Sequence, residues 1–145
     1  MKTSIYLDHA AATPLDDQVR TAMEPYLSDK FYNPSASYLG AAAVKADLEK
    51  ARETVAHHLG IRPGNIVFTA GGTEANNLAL FGVAAKYPGS HLVSSALEHD
   101  SVLKPLERLK QKGGKYALVS PGNDGIVDPA AVTKAITNRT VLVSV

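Results

Sequence analysis

A two-glycine turn, residues 71–74 with the sequence Gly-Gly-Thr-Glu, is the first feature of this chain that could do chemistry. It follows the apolar residues 66–69, whose pattern predicts a buried strand, and it opens a helical pattern. Glycines let a backbone approach an anion, and the free N–H groups of a first helical turn point at it. The turn therefore predicts a phosphate site made by the Gly72 N–H, the Thr73 N–H and the Thr73 hydroxyl.

The same four residues also fit a plain strand-to-helix turn in which Thr73 is the N-cap. The sequence has neither the G-x-G-x-x-G pattern of dinucleotide-binding folds nor a Walker motif. The turn alone does not decide between the two interpretations.

His99 is the second residue that could do chemistry, because it follows the apolar residues 92–95 and begins another helical pattern. It could stack on a planar cofactor or transfer a proton, or it could simply cap the helix or lie on the surface. With the glycine turn, His99 suggests a phosphorylated cofactor that has a flat ring.

Other polar residues give weaker signals. Asn33-Pro34 predicts a rigid turn, and a structural role is the default interpretation. Asn76 and Asn77 lie early in a predicted helix, and the sequence does not identify their hydrogen-bond partners. A metal site is not expected, because the sequence has no cysteine and no H-x-x-x-H pair.

Composition excludes several classes of protein. The 145 residues are 45% hydrophobic and 20% charged, with a net charge of +1 and no basic run, so nucleic-acid binding is not expected. No apolar run reaches the roughly 20 residues of a membrane span, and no signal peptide is expected. These features are compatible with a cytoplasmic protein.

Two helices are predicted in the first part of the chain, after an irregular arm over residues 5–14. Asp16 or Asp17 caps a helix that runs to about Leu27, and Pro25 predicts that this helix bends or ends early. A longer helix ends at Gly60 and has an apolar stripe of Val44, Leu48, Ala51, Val55 and Leu59.

Short apolar strands alternate with helices from residue 65 onward. Strands are predicted over residues 66–69, 92–95, 116–119 and 140–145, and helices over residues 73–85, 100–112 and 129–136. This alternation predicts an α/β fold with a mainly parallel sheet flanked by helices. We expect residues 1–60 to form an N-terminal arm with helices, and residues 61–145 to form the first half of a larger cofactor-binding domain.

Taken together and in order, these segments resemble the cysteine desulfurases of the class-V aminotransferase family. The matching residues are 6–14 (YLDHAAATP), 33–35 (NPS), 51–52 (AR), 66–77 (IVFTAGGTEANN), 98–99 (EH) and 125–128 (GIVD). The resemblance covers essentially the whole chain, and the combination is far more specific than any one segment.

The resemblance implies a fold-type-I enzyme that uses pyridoxal 5′-phosphate to take sulfur from L-cysteine, leaving alanine and an enzyme persulfide for iron–sulfur or thio-cofactor synthesis. It implies that Gly72 and Thr73 bind the cofactor phosphate and that His99 stacks on the ring and takes part in catalysis. It also places Asn33 near the substrate. By the same resemblance, we expect the full-length enzyme to be a homodimer that passes sulfur to an acceptor protein.

The sequence departs from the family in two respects. Tyr38 stands where the family usually has a histidine. The family's cofactor-binding lysine and catalytic cysteine have no counterpart, so we expect an incomplete large domain that is inactive alone and self-associates. The alternatives are a selenocysteine lyase, another class-V aminotransferase activity, or a non-catalytic module that binds a phosphate or a partner.

Overall fold

The computed structural model describes residues 5–145, and the chain divides into two compact units, Met1–Val67 and Phe68–Val145. The first contains the helices α1 (Asp17–Ser28) and α2 (Leu39–Leu59) and the 3-10 turn Pro63–Asn65. The second contains the helices α3 (Gly72–Lys86), α4 (Asp100–Gln111) and α5 (Pro129–Ala135), and the strands β1 (His91–Ser95), β2 (Lys115–Val119) and β3 (Thr140–Ser144). No helix within the described residues is long and apolar enough to cross a membrane.

The first unit confirms the predicted arm and both predicted helices. The Asp16 carboxylate caps α1 by accepting from the backbone N–H groups of Gln18 and Val19. The predicted early end at Pro25 is wrong: α1 continues to Ser28, and the Pro25 carbonyl accepts from the N–H groups of Asp29 and Lys30. A proline therefore removes one helical donor here without ending the helix.

Helix α2 ends as predicted, with Gly60 in the left-handed conformation at φ 65°. Its buried residues, however, are Ala41 and Ala56, whereas Leu48, Val55 and Leu59 of the predicted stripe are exposed. The small alanines mark where α2 packs most closely.

A polar cluster links α1 to α2. Tyr26 Oη and Lys30 Nζ both donate to the Asp47 carboxylate, at 3.1 and 2.6 Å. The hydrogen bonds from Lys30 and Tyr26 lower the pKa of Asp47, and the same carboxylate raises the pKa of Lys30. Because these groups are exposed to solvent, the cluster fixes geometry more than it adds stability.

The second unit confirms the α/β fold with a parallel sheet. The three strands lie in the order β2-β1-β3, and β1 is parallel to both neighbours. A core of Leu80, Leu92, Val102 and Leu106 joins α3 and α4 to the sheet. A parallel sheet with flanking helices is the architecture predicted for this half of the chain.

One predicted strand is absent. Residues 66–69 are not a strand of the described sheet, and Val67 is 65% exposed. Both edges of β1 are already occupied by β2 and β3, so this segment does not pair with the central strand. The outer edges of β2 and β3 are free within the described residues, but residues 66–69 form no strand on either of them.

Helices α4 and α5 form as predicted. Pro105 is a buried residue inside α4, which continues to Gln111. Helix α5 begins after Asp128, whose carboxylate accepts from the Ala130 N–H at 2.9 Å.

Candidate functional site

The first turn of α3 offers free backbone donors. Its N-cap is Gly71, which has an extended φ of 169° and no side chain to cap the helix. The Ala75 N–H bonds the Gly71 carbonyl, but the N–H groups of Gly72, Thr73 and Glu74 have no partner within residues 5–145. Three donors at the positive end of a helix form an arrangement that suits an anion.

The structure excludes Thr73 as the N-cap of α3. Thr73 is the second residue of the helix, and its hydroxyl makes no hydrogen bond within the described residues. The turn is held instead by Glu74, whose carboxylate accepts from the Ala70 N–H at 2.7 Å. The Thr73 hydroxyl is therefore left available beside the free N–H groups.

The two glycines leave open space at the turn. A Cβ built on Gly71 or Gly72 would meet no other atom within 4 Å. Packing inside the chain does not require glycine at either position. Open space beside free donors is consistent with a close approach by a ligand.

His99 is the N-cap of α4. Its Nδ1 accepts from the Ser101 backbone N–H at 3.0 Å and lies 2.9 Å from the Ser101 hydroxyl. Capping, the alternative interpretation of His99, is therefore confirmed, whereas ring stacking stays a prediction. Nε2 makes no hydrogen bond within the described part of the chain. Ser101 is a residue that sequence reasoning missed.

An open cleft of about 410 Å³ brings Thr73 and His99 together. Its lining includes Thr73, Asn77, His99, Ser101, Lys104 and Arg108. The lining also includes Asp100 and Glu107, so the charges of Lys104 and Arg108 are balanced, and the preference for an anion comes from the free N–H groups at the start of α3. Lys104 also pairs with Glu107 at 3.4 Å, so its charge is partly compensated.

A larger cleft, of about 710 Å³, lies near the start of the first two strands, where Ser90 and Gly114 line it. None of the predicted site residues lines it. In parallel α/β sheets ligands bind beyond the carboxyl ends of the strands. His99 follows the end of β1 and, with Thr73, lines the smaller cleft, so this cleft is the better candidate despite its size.

Asn33 lies in the first unit, in the predicted loop. Its side-chain oxygen accepts from the Ser35 N–H at 2.9 Å, and its carbonyl accepts from the Ala36 N–H at 3.1 Å. These bonds confirm the turn, while a role in substrate binding stays a prediction. Tyr38, the departure from the family pattern, is the N-cap residue of α2 and contacts the Tyr32 ring edge-on.

No group of three or more His, Asp or Glu residues within residues 5–145 is arranged to hold a metal ion.

Comparison with known proteins gives one consistent family. A sequence profile described as "Aminotransferase class-V" matches residues 5–145. The chain is 40% identical over 147 residues to the cysteine desulfurase IscS of Dictyoglomus turgidum, and 42% identical over 151 residues to that of Stutzerimonas stutzeri. Both alignments cover 100% of this chain but only 37% of the relative. The chain thus spans little more than a third of the length of these relatives.

Solved structures give the same picture. The structure of SspA in complex with cysteine aligns with a TM-score of 0.88 at 37% identity, over 97% of this chain and 41% of that one. A NifS-like protein aligns with a TM-score of 0.88 at 32% identity, over 96% and 39%. DndA from Streptomyces lividans aligns with a TM-score of 0.79 at 32% identity, over 96% and 40%.

Proposed function

Because the chain belongs to the class-V aminotransferase family, we propose that it forms the cofactor-phosphate end of a cysteine desulfurase-like enzyme. The cofactor of this family's desulfurases is pyridoxal 5′-phosphate. The observation that carries the proposal is the cleft in which Thr73, at the uncapped start of α3, lies with His99.

The residues present fit the cofactor's phosphate. The Gly72 and Thr73 N–H groups and the Thr73 hydroxyl are donors without partners in residues 5–145. The open space at Gly71 and Gly72 admits a ligand to the backbone. A phosphate dianion is stabilised at such a helix start by the free donors and by the helix dipole.

His99 presents an imidazole at the same cleft. A ring there can stack on a planar heterocycle, and its Nε2 can donate a hydrogen bond or a proton. When bound, pyridoxal phosphate supplies an electron sink for bonds at the substrate's α-carbon. The residues of this chain hold the phosphate, support the ring and keep a proton at His99.

L-Cysteine is the proposed substrate, supported by the similarity to SspA, whose structure holds cysteine. Asn33 is the proposed substrate contact, and the whole enzyme is proposed to be a cytoplasmic homodimer with a sulfur-acceptor protein as its partner. This sequence has no cysteine to carry a persulfide. We therefore expect the 145-residue chain alone to release no more sulfide from L-cysteine than free pyridoxal phosphate does.

The proposal is tested by titrating the ¹⁵N-labelled chain with pyridoxine 5′-phosphate. This probe keeps the ring and the phosphate of the cofactor, but it has no aldehyde and forms no imine with surface lysines. We expect the amide signals of Gly72, Thr73 and Glu74 to shift together with those of His99, because Thr73 and His99 line one cleft and Gly72 and Glu74 flank Thr73 in the chain.

Pyridoxine without the phosphate is the matched probe. It should leave the signals of residues 72–74 in place at the same concentrations. Shifts scattered over lysine-rich surfaces, or equal shifts with the two probes, would contradict a phosphate site at α3.

A further inference from the structure

Three side chains form a hydrogen-bonded relay between α3 and α4. Asn76 on α3 donates through Nδ2 to the Ser101 hydroxyl on α4 at 2.9 Å. The Ser101 hydroxyl lies 2.9 Å from His99 Nδ1, which also accepts from the Ser101 backbone N–H at 3.0 Å. Ser101 is 7% exposed, so water competes little for its hydroxyl.

The polarity of this relay follows from the donors available. A backbone N–H can only donate, so the Ser101 N–H requires a lone pair on His99 Nδ1. The Ser101 hydroxyl accepts from Asn76, and its own hydrogen is then free to donate to the same Nδ1. A neutral His99 must therefore carry its proton on Nε2.

We propose that Asn76 and Ser101 are positioning residues for His99, which fix its ring orientation and keep its proton on Nε2, the nitrogen left for a ligand in the cleft. This inference rests on the proposed function for its purpose, but the relay itself needs no cofactor. Helix packing contributes to the orientation of His99, because the hydrogen bond between Asn76 and Ser101 joins α3 to α4, the two helices that cover the sheet core. The side chain of a conventional N-cap, which bonds only its own helix, would not depend on Asn76.

The test measures the tautomer of His99 in the ¹⁵N-labelled 145-residue chain. Long-range ¹H–¹⁵N correlation in mildly alkaline buffer distinguishes a proton on Nε2 from one on Nδ1, and a His99→Gln variant assigns the signals. We expect the Nε2–H form to predominate. In Ser101→Ala, which keeps the backbone donor, the ratio of Nε2–H to Nδ1–H should fall roughly three- to tenfold, the effect of losing one hydrogen bond.

Asn76→Asp is the sharper variant, because it replaces a donor by an acceptor of the same shape. The carboxylate would draw the Ser101 hydroxyl hydrogen away from Nδ1, and the tautomer ratio should fall as it does in Ser101→Ala. Asn138→Asp is the matched control: Asn138 is exposed in the turn before β3, in the same unit, and lines none of the clefts described above. It adds the same charge and should leave the ratio unchanged.

The relay is overturned if both Ser101→Ala and Asn76→Asp keep the wild-type ratio, or if Asn138→Asp shifts it equally. A predominant Nδ1–H form in the wild-type chain overturns it as well, and that result needs no variant to fold. None of these readouts depends on the binding of pyridoxine 5′-phosphate. A failure of the relay is therefore distinguishable from a failure of the proposed function.

Discussion

Thr73 and His99 border the same cleft, but the chain uses their polar atoms differently. The His99 Nδ1 is already bound to Ser101, whereas the Thr73 hydroxyl has no partner in residues 5–145. The chain therefore leaves one nitrogen of His99 and the whole hydroxyl of Thr73 for a ligand. Under the proposed function, this difference predicts an oriented ring for His99 and a direct contact with the ligand for Thr73.

Thr73→Val should weaken the binding of pyridoxine 5′-phosphate at least tenfold, because it removes one hydrogen bond to a charged group, worth about 1.5–3 kcal/mol. Valine keeps the size and branching of threonine, so we expect the fold to be retained. The dissociation constant is measured by titration calorimetry or from amide shifts. Thr54→Val, on an exposed face of α2 in the other unit, is the control and should bind normally. Equal losses in the two variants would assign the effect to general destabilisation.

The sequence identified those candidate site residues that are marked by their immediate neighbours in the chain. Gly72, Thr73 and His99 each stand at a predicted helix start, so neighbouring residues were enough to find them. Ser101 was missed as the partner of Asn76 because their hydrogen bond joins residues 25 positions apart. No period or short motif encodes such a contact, and only the packing of α3 on α4 creates it.

At the scale of elements, most helices and strands followed from capping residues and apolar periodicity. Asp16, Gly60 and Asp128 mark helix ends in the structure as they do in the sequence. Residues 66–69 failed as a strand because pairing depends on a neighbour, which composition does not specify. Pro105 lies within α4, where buried contacts hold the helix around it.

Helix α3 contains Gly82, a position at which neither the backbone conformation nor close packing requires a glycine. Gly82 is exposed in the helix interior, and a Cβ built there meets nothing within 4 Å. Gly82→Ala should therefore raise the free energy of unfolding by about 0.5–1 kcal/mol and the melting temperature by a few degrees. Gly113→Ala is the contrasting variant in the same unit: its φ of 86° should make alanine destabilising. Thermal unfolding followed by circular dichroism measures both, and a lower melting temperature in Gly82→Ala would show that a further contact covers this position.

At the scale of the whole molecule, each unit leaves apolar surface uncovered. In the second unit, Leu118, Val141 and Val143 are 44%, 37% and 41% exposed, and the outer edge of β3 has no partner strand within the described residues. In the first unit, Val55 and Leu59 are exposed on α2. An unpaired strand edge with apolar, uncharged side chains can pair with another chain.

We therefore expect the 145-residue chain to self-associate in a concentration-dependent way, with the β3 edge as the main contact. Residues 140–145 contain no charged side chain and no proline, so the side chains of this strand do not oppose edge pairing. Val143→Lys places a charge on that edge and should lower the apparent molecular mass measured by sedimentation or light scattering. Val55→Lys adds the same charge to α2 of the other unit and should leave the association largely unchanged. A compact monomer with cooperative melting at high concentration would contradict self-association, and a larger effect of Val55→Lys would move the contact from the sheet edge to α2.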